Sequence, residues 1–214
     1  MNLPEEYEMM PCGSLRLKNP KEVDYSKPYW GEDAGRSTIE EQCFNVNGYR
    51  NGRGETKVFS VLRHCVGAFL LEIGASPGEL LRVATAAGFD CEGIEPCQDH
   101  VEFVSERSGC KIINAMFPCV DFLEKTFDTI VAMDVIEHVD DPHGFVDRAM
   151  DLLTERGRLI LMLPAIYDDG LFDEKNFHPE HINIFSQERL RKWLKPIIFD
   201  RWVVGHEIVV VEKK

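Results

Sequence analysis

The chain has 214 residues, 44% of them hydrophobic, which allows one α/β domain with extensions and a sizeable core. Its formal net charge of -13 argues against a nucleic-acid partner and against an anionic membrane surface, since both need clustered Lys and Arg. No apolar run approaches the ~20 residues of a membrane span, and Met1 to Glu6 is acidic without a signal-peptide core, so a cytoplasmic location is expected. Seven cysteines, an odd number with no Cys-x-x-Cys pair, predict reduced thiols rather than a disulfide framework or a zinc knuckle.

Residues 1–50 form an arm ahead of the main domain at 51–214. Pro4, Pro11, Pro20 and Pro28 alternate with glycines, and no periodicity lasts. Tyr25, Tyr29, Trp30, Arg36 and Arg50 either close as a lid over a ligand or anchor the arm to the core. Glu55 to Val66 then suits a helix, with Val58, Val61, Leu62 and Cys65 along one face.

The stretch from Phe69 to Pro96 carries the first strong signal. Phe69 to Ile73 reads as a buried strand. It meets a turn, Gly74-Ala75-Ser76-Pro77-Gly78, and a helix with Leu80, Leu81, Ala84 and Ala87 inward, stopped at Gly88. A second strand, Asp90 to Ile94, ends on Glu95. This β-loop-α-β unit is the half-module of a nucleotide-binding sheet. Gly74 and Gly78 let a ligand approach the loop backbone, the helix start offers free N–H groups, and Glu95 can accept from two vicinal ribose hydroxyls. The Gly-x-Gly-x-x-Gly pattern of dinucleotide sites is absent, because Ser76 takes the middle place.

Further along, Gln98 to Arg107 reads as a helix and Cys110 to Asn114 as a third strand. The apolar run Thr129 to Met133 suits the centre of a parallel sheet and leads into Asp134, Val135, Ile136, Glu137, His138 and Val139. Phe145 to Leu153 gives a helix, Glu155-Arg156-Gly157 a turn, and Arg158 to Pro164 a fifth strand. Tyr167 to Ser186 is a long overhang rich in His and acids, and Ser186 caps a closing helix. Ile197 to Val204 and Glu207 to Val211 form a final hairpin.

Glu72-x-Gly74-x-x-x-Gly78, with Glu95 in register, resembles the first motif of class I S-adenosylmethionine-dependent methyltransferases. Asp134 to Val139 is similar to a later motif in the subset that includes ubiquinone-biosynthesis O-methyltransferases and sugar and natural-product methyltransferases. His181-x-x-x-Phe185-Ser186-x-x-x-Leu190 matches that subset too. The resemblance covers about residues 55–211. It implies a Rossmann-like, doubly wound, seven-stranded sheet, mostly parallel with the last strand antiparallel and helices on both faces. It implies S-adenosylmethionine as cofactor and S-adenosylhomocysteine as product. Cofactor contacts are expected at Glu72, Gly74, Ala75, Ser76, Gly78, Glu95, Pro96, Met116, Phe117, Asp134 and Val135, with Asn114 where an adenine-reading acid often stands.

The implied acceptor is a small molecule: a sugar, glycan precursor or secondary metabolite. His181, His178 and His138 are the catalytic candidates, as general bases or acceptor contacts. The alternative reading of this overhang is a divalent-metal site at His178, His181, Glu180 and nearby aspartates that binds a vicinal-diol or catechol acceptor. Two other functions stay open: a catalytically silent methyltransferase-like subunit binding a protein partner, and a nicotinamide-dependent oxidoreductase, which the glycine spacing disfavours.

Overall fold

The computed structural model describes residues 7–10, 15–20, 22–26, 53–119, 125–166, 180–203 and 206–214. In chain order these form β1 (Tyr7–Met9), β2 (Leu15–Leu17), α1 (Arg53–Leu62), β3 (Phe69–Ile73), α2 (Glu79–Ala86), β4 (Asp90–Glu95), α3 (Gln98–Ser108) and β5 (Lys111–Asn114). There follow β6 (Phe127–Met133), a 3-10 turn (Ile136–His138), α4 (Pro142–Asp151), β7 (Leu153–Ile166), β8 (Asn183–Ser186), α5 (Gln187–Leu194), β9 (Ile198–Val203) and β10 (His206–Glu212).

Seven strands build the main sheet in the order β5-β4-β3-β6-β7-β10-β9. β3, β4, β5, β6 and β7 pair in parallel, and β10 runs antiparallel to both β7 and β9. The expected sheet is therefore the observed one. Its alternation sorts side chains to two faces. Leu70, Val131, Ile160 and Met162 pack with Val58 and Val61 of α1, Leu80 and Leu81 of α2 and Val104 of α3. Leu71, Ile130, Leu159 and Leu161 pack with Phe145 and Ala149 of α4 and Leu190 and Leu194 of α5. The chain leaves β3 towards β4 and β5, then returns to place β6 on the other side of β3. The crevice at that reversal, at the carboxyl ends of β3 and β6, is where such sheets hold ligands.

Local chemistry sets the helix ends. Asp141 accepts from the Gly144 N–H at 3.0 Å ahead of Pro142 in the first turn of α4. Ser186 accepts from the Arg189 N–H at the start of α5, as expected.

Two regions differ from the sequence expectation. β7 starts at Leu153, so the turn expected at Glu155–Gly157 lies within the strand. It is a bulge between the pairs Phe127↔Leu153 and Thr129↔Arg158, with Arg156 at φ 62° and the Thr154 hydroxyl donating to Asp128 at 2.9 Å. The end of the long overhang is also a strand. β8, buried at all four positions, pairs parallel with the end of β7 and antiparallel with β2, and β2 pairs with β1. Part of the arm thus extends a second, smaller sheet. Strand character was hidden because Asn183-Ile184-Phe185-Ser186 shows no alternation: all four are covered.

Candidate functional site

At the tip of β3 the chain turns through Gly74 at φ 75°, a conformation side chains resist. A Cβ there would also stand 2.7 Å from Val135 Cγ2, so the turn can lie against the loop after β6 only as glycine. The Gly74 and Ala75 N–H groups both donate to the Ile94 carbonyl, at 2.9 and 3.0 Å, which seats the loop on β4. Gly93 makes this possible, since a Cβ on it would lie 2.8 Å from the Ala75 Cβ.

Glu95 closes the loop. One carboxylate oxygen accepts from the Ser76 N–H at 3.1 Å and the other from the Cys97 N–H at 3.0 Å. Burial, with 6% of the residue exposed, pushes its pKa up to about 7, against the pull of those two N–H donors. Asn114 donates to the Glu95 and Pro96 carbonyls, both at 2.9 Å, so its amide braces this strand end. Glu72 lies beneath the loop, fully buried. It accepts from the Leu81 N–H in the first turn of α2, and burial, then the Glu95 charge, hold its carboxyl well above the usual range.

On the other side of the crevice, Asp134 follows β6 at φ 54°, and its N–H donates to the Met162 carbonyl at 2.8 Å. A non-glycine residue held there is a mark of functional loops. Its carboxylate pairs with the buried ammonium of Lys57 on α1, and its second oxygen, Oδ1, is buried with no hydrogen-bond partner among the described residues. Lys57 is absent from the sequence expectation. The available signal was a cation within the apolar face of α1, next to Val58 and one turn before Val61, both fully buried.

A second cluster gathers where the 3-10 turn meets β8. His138 Nδ1 lies 3.0 Å from the Glu180 carbonyl; a carbonyl only accepts, so Nδ1 carries a proton, and in the neutral ring the lone pair lies on Nε2. The His138 ring stands edge-on to His181 at 4.9 Å and to Tyr25 at 5.9 Å. Burial and the charges of Glu180, Glu137 and Asp140 push the Tyr25 phenol up to about 12. Glu137 is 1% exposed, neither carboxyl oxygen has a hydrogen-bond partner among the described residues, and burial followed by the Asp134 charge holds its pKa well above the usual range. Asn183 ties the turn down, donating to the Val139 carbonyl at 2.6 Å.

The two residues after β5 part ways. Met116 is half exposed and lines a groove of about 520 Å³ with Glu22, Val23, Asp24, Tyr25 and Ser26. Phe117 is buried edge-on against Phe145 at 4.9 Å and joins the core. His178, Tyr29, Trp30, Arg36 and Arg50 lie outside the described residues. Gly74, Ala75, Ser76, Glu95, Asp134 and Val135 thus gather at the carboxyl ends of β3, β4 and β6, with Glu72 buried beneath them. A Cβ on Gly78 would instead stand 3.1 Å from Val104 Cγ1, so that glycine serves the packing of α2 on α3. His138 and His181 form a second cluster.

Comparison with known proteins agrees with the fold. A methyltransferase-domain family model matches residues 58–197. A ubiquinone biosynthesis O-methyltransferase of Rhodopseudomonas palustris is 26% identical over 132 residues, covering 60% of this chain and 49% of that protein. The chain thus spans about half the length of the curated relatives it matches. Among solved structures, the [4+2]-cyclase SpnF superposes with a TM-score of 0.62 at 15% identity, over 77% of this chain and 81% of that one. The N-methyltransferase NodS of Bradyrhizobium japonicum, in complex with S-adenosylhomocysteine, does so with a TM-score of 0.60 at 12% identity, over 82% and 96%. At these identities the structural likeness speaks for the fold alone.

Proposed function

This chain belongs to the methyltransferase-domain family, of the class I S-adenosylmethionine-dependent kind, and on that premise we propose that it moves the methyl group of S-adenosylmethionine to a small-molecule acceptor such as a sugar, a glycan precursor or a secondary metabolite. The observation that carries the reading is the joint placement of Glu95, the Gly74–Gly78 turn and the Lys57–Asp134 pair around one crevice.

The residues present fit the cofactor. The bare backbone at Gly74 lets the turn lie against Val135, and the orphaned Oδ1 of Asp134 seeks a donor. Glu95 would hold the ribose hydroxyls with the lone pairs its two backbone donors leave free. Lys57 and Asp134 carry the charges that complement an amino-acid zwitterion, the ammonium for its carboxylate and the carboxylate for its ammonium. When bound, S-adenosylmethionine supplies a methyl group already made electrophilic by its sulfonium.

The chain's own contribution is then largely position. The acceptor atom must be held in line with the methyl and water kept out. His138 and His181 are the side chains nearest to that task. With Nδ1 donating to the Glu180 carbonyl, neutral His138 offers the lone pair of Nε2, the form in which an imidazole takes a proton or a cation. Met116 and the segment from Glu22 to Ser26 wall a groove beside them. A cytoplasmic location suits the free thiols of Cys65, Cys91, Cys97, Cys110 and Cys119. Among the described residues, no helix is long and apolar enough to cross a membrane.

Calorimetry tests the cofactor half. The purified chain should bind S-adenosylmethionine, and Glu95→Ala should weaken it by ~1.5–3 kcal/mol, the worth of hydrogen bonds to a charged group. Equal affinity in the variant would remove Glu95 from the site. Transfer of a labelled methyl group to a panel of hydroxyl and amine acceptors tests the other half.

A further inference from the structure

Glu137 is left over from this account. A carboxyl that is 1% exposed, with neither oxygen hydrogen-bonded to another described residue and with the nearby Lys57 ammonium already paired to Asp134, is costly to ionise unless a further cation meets it. Its neighbours are imidazoles. One ligand-type atom each from Glu137, His138 and His181 lie within 4.8 Å of one another. Two nitrogens or oxygens on one ion at ~2.1 Å stand at most about 4.2 Å apart, so side-chain adjustments within an ångström bring all three onto a common centre.

We propose that Glu137, His138 and His181 bind a first-row divalent cation, which holds an oxygen-bearing acceptor through its remaining positions. Two imidazoles and one carboxylate suit Fe²⁺, Co²⁺, Ni²⁺ or Zn²⁺; Mg²⁺ and Ca²⁺ want oxygen ligands throughout. The Glu180 carbonyl is already placed to steady the ring, because a ligating histidine fixes its orientation by donating its other N–H, and His138 Nδ1 lies 3.0 Å from it. Three protein ligands leave open positions, and a vicinal diol or catechol would occupy two of them. Of the metal set expected from sequence, His181 belongs to this cluster, while His178 and the neighbouring aspartates lie outside the described residues. Glu137 and His138 enter because the 3-10 turn packs against β8, a contact that spacing along the chain does not reveal. The proposal rests on reading this cluster as the acceptor side of a methyl-transfer site, and it names the acceptor class.

The test uses the full chain, stripped with a chelator and titrated with Co²⁺ by equilibrium dialysis, with visible absorption reporting nitrogen coordination. About one Co²⁺ per chain is expected, and His181→Ala and Glu137→Gln should each weaken it by at least ~10-fold, since even outer partners of metal ligands are worth that much. Glu137→Gln removes a buried charge without changing shape, so it serves as the variant least prone to misfold. Calorimetry with S-adenosylhomocysteine, run metal-free, should give both variants the affinity of the parent chain. Uptake of less than a tenth of an equivalent, or uptake unchanged in both variants, overturns the cation site. Failure of the parent to bind S-adenosylhomocysteine while Co²⁺ binding follows the variants would instead sink the cofactor assignment and leave the cation standing.

Discussion

At the glycine-loop edge, the polar side chains are held by backbone groups of their own β-loop-α-β module. Glu95 accepts from Ser76 and Cys97, Glu72 from Leu81, and Asn114 donates to the carbonyls of residues 95 and 96. At the histidine edge, Tyr25, His138 and His181 come from three distant stretches: His138 meets His181 where the 3-10 turn packs against β8, and the arm carrying Tyr25 joins through the pairing of β2 with β8. The ion pair that ties the arm across, Arg16 with Asp140, has a largely exposed carboxylate and adds little. One edge is built to be rigid before any ligand arrives. The other depends on long-range assembly, the usual place for specificity to vary while a cofactor site stays put.

Breaking the Lys57–Asp134 pair should produce the largest effect, because it sits between the two edges. Lys57→Met leaves Asp134, Glu72 and Glu137 without their shared cation and should lower unfolding free energy by about 3 kcal/mol in urea titrations, the low end for a broken buried pair. Adding Asp134→Asn, which tolerates the same left-handed backbone, should recover part of that loss. No recovery would mean that the lysine acts by packing alone. Next comes Gly93→Ala. Its Cβ would meet Ala75 and Ile112 at 2.8 Å, so overpacking of about 2 kcal/mol and a displaced loop are expected. A drop in cofactor affinity larger than the drop in stability would show that the loop, more than the sheet, gives way.

These two predictions also mark what the sequence made legible. The sheet, its two faces and the crevice could be read from β3 to β6, because that module's strands, turn and acid follow one another at short spacing. Gly93 was overlooked: its role is the close approach of a loop, which a strand pattern does not display. Lys57 was overlooked because a lone cation in an amphipathic helix looks like solvated surface until the loop after β6 folds over it. β8 escaped because strands covered on both faces lose alternation, and with it went the arm's attachment and the meeting of Glu137 with His181. The motif at Asp134–His138 was recognisable as a string, yet that Asp134 turns to Lys57 while Glu137 and His138 turn to His181 is decided by the 3-10 turn.

A pH titration sharpens the contrast at the rigid edge. The Glu95 carboxyl rises from an ordinary 4.5 to about 7 in the fold, so the folded chain holds a proton there that the unfolded chain has lost. That contribution to stability is present below about pH 4.5 and disappears as pH rises through about 7. Cofactor affinity should run the other way, because ribose hydroxyls donate best to the ionised form. Between pH 6 and pH 8 affinity should climb by up to ~10-fold, or ~1.4 kcal/mol. Glu95→Gln should flatten both slopes. Glu72 and Glu137 contribute to the stability slope with the same sign, so the difference between parent and variant is the quantity to read.

The smallest effect is expected at the assembled edge, from Tyr25→Phe. With its pKa pushed up to about 12, the phenol stays protonated at any pH where the chain would work, so it acts as a hydrogen-bond donor and not as a base. Removing the hydroxyl keeps the ring against His138 and takes away one such bond, worth about 1 kcal/mol. The acceptor's KM should rise a few-fold while cofactor affinity and the shape of the pH–rate profile stay as they were. A change in cofactor affinity would mean that the arm reaches the crevice itself, and the separation of the two edges would fail. A shifted pH profile with unaltered KM would instead place Tyr25 in the proton path through His138, making the arm part of the chemistry rather than a wall beside it.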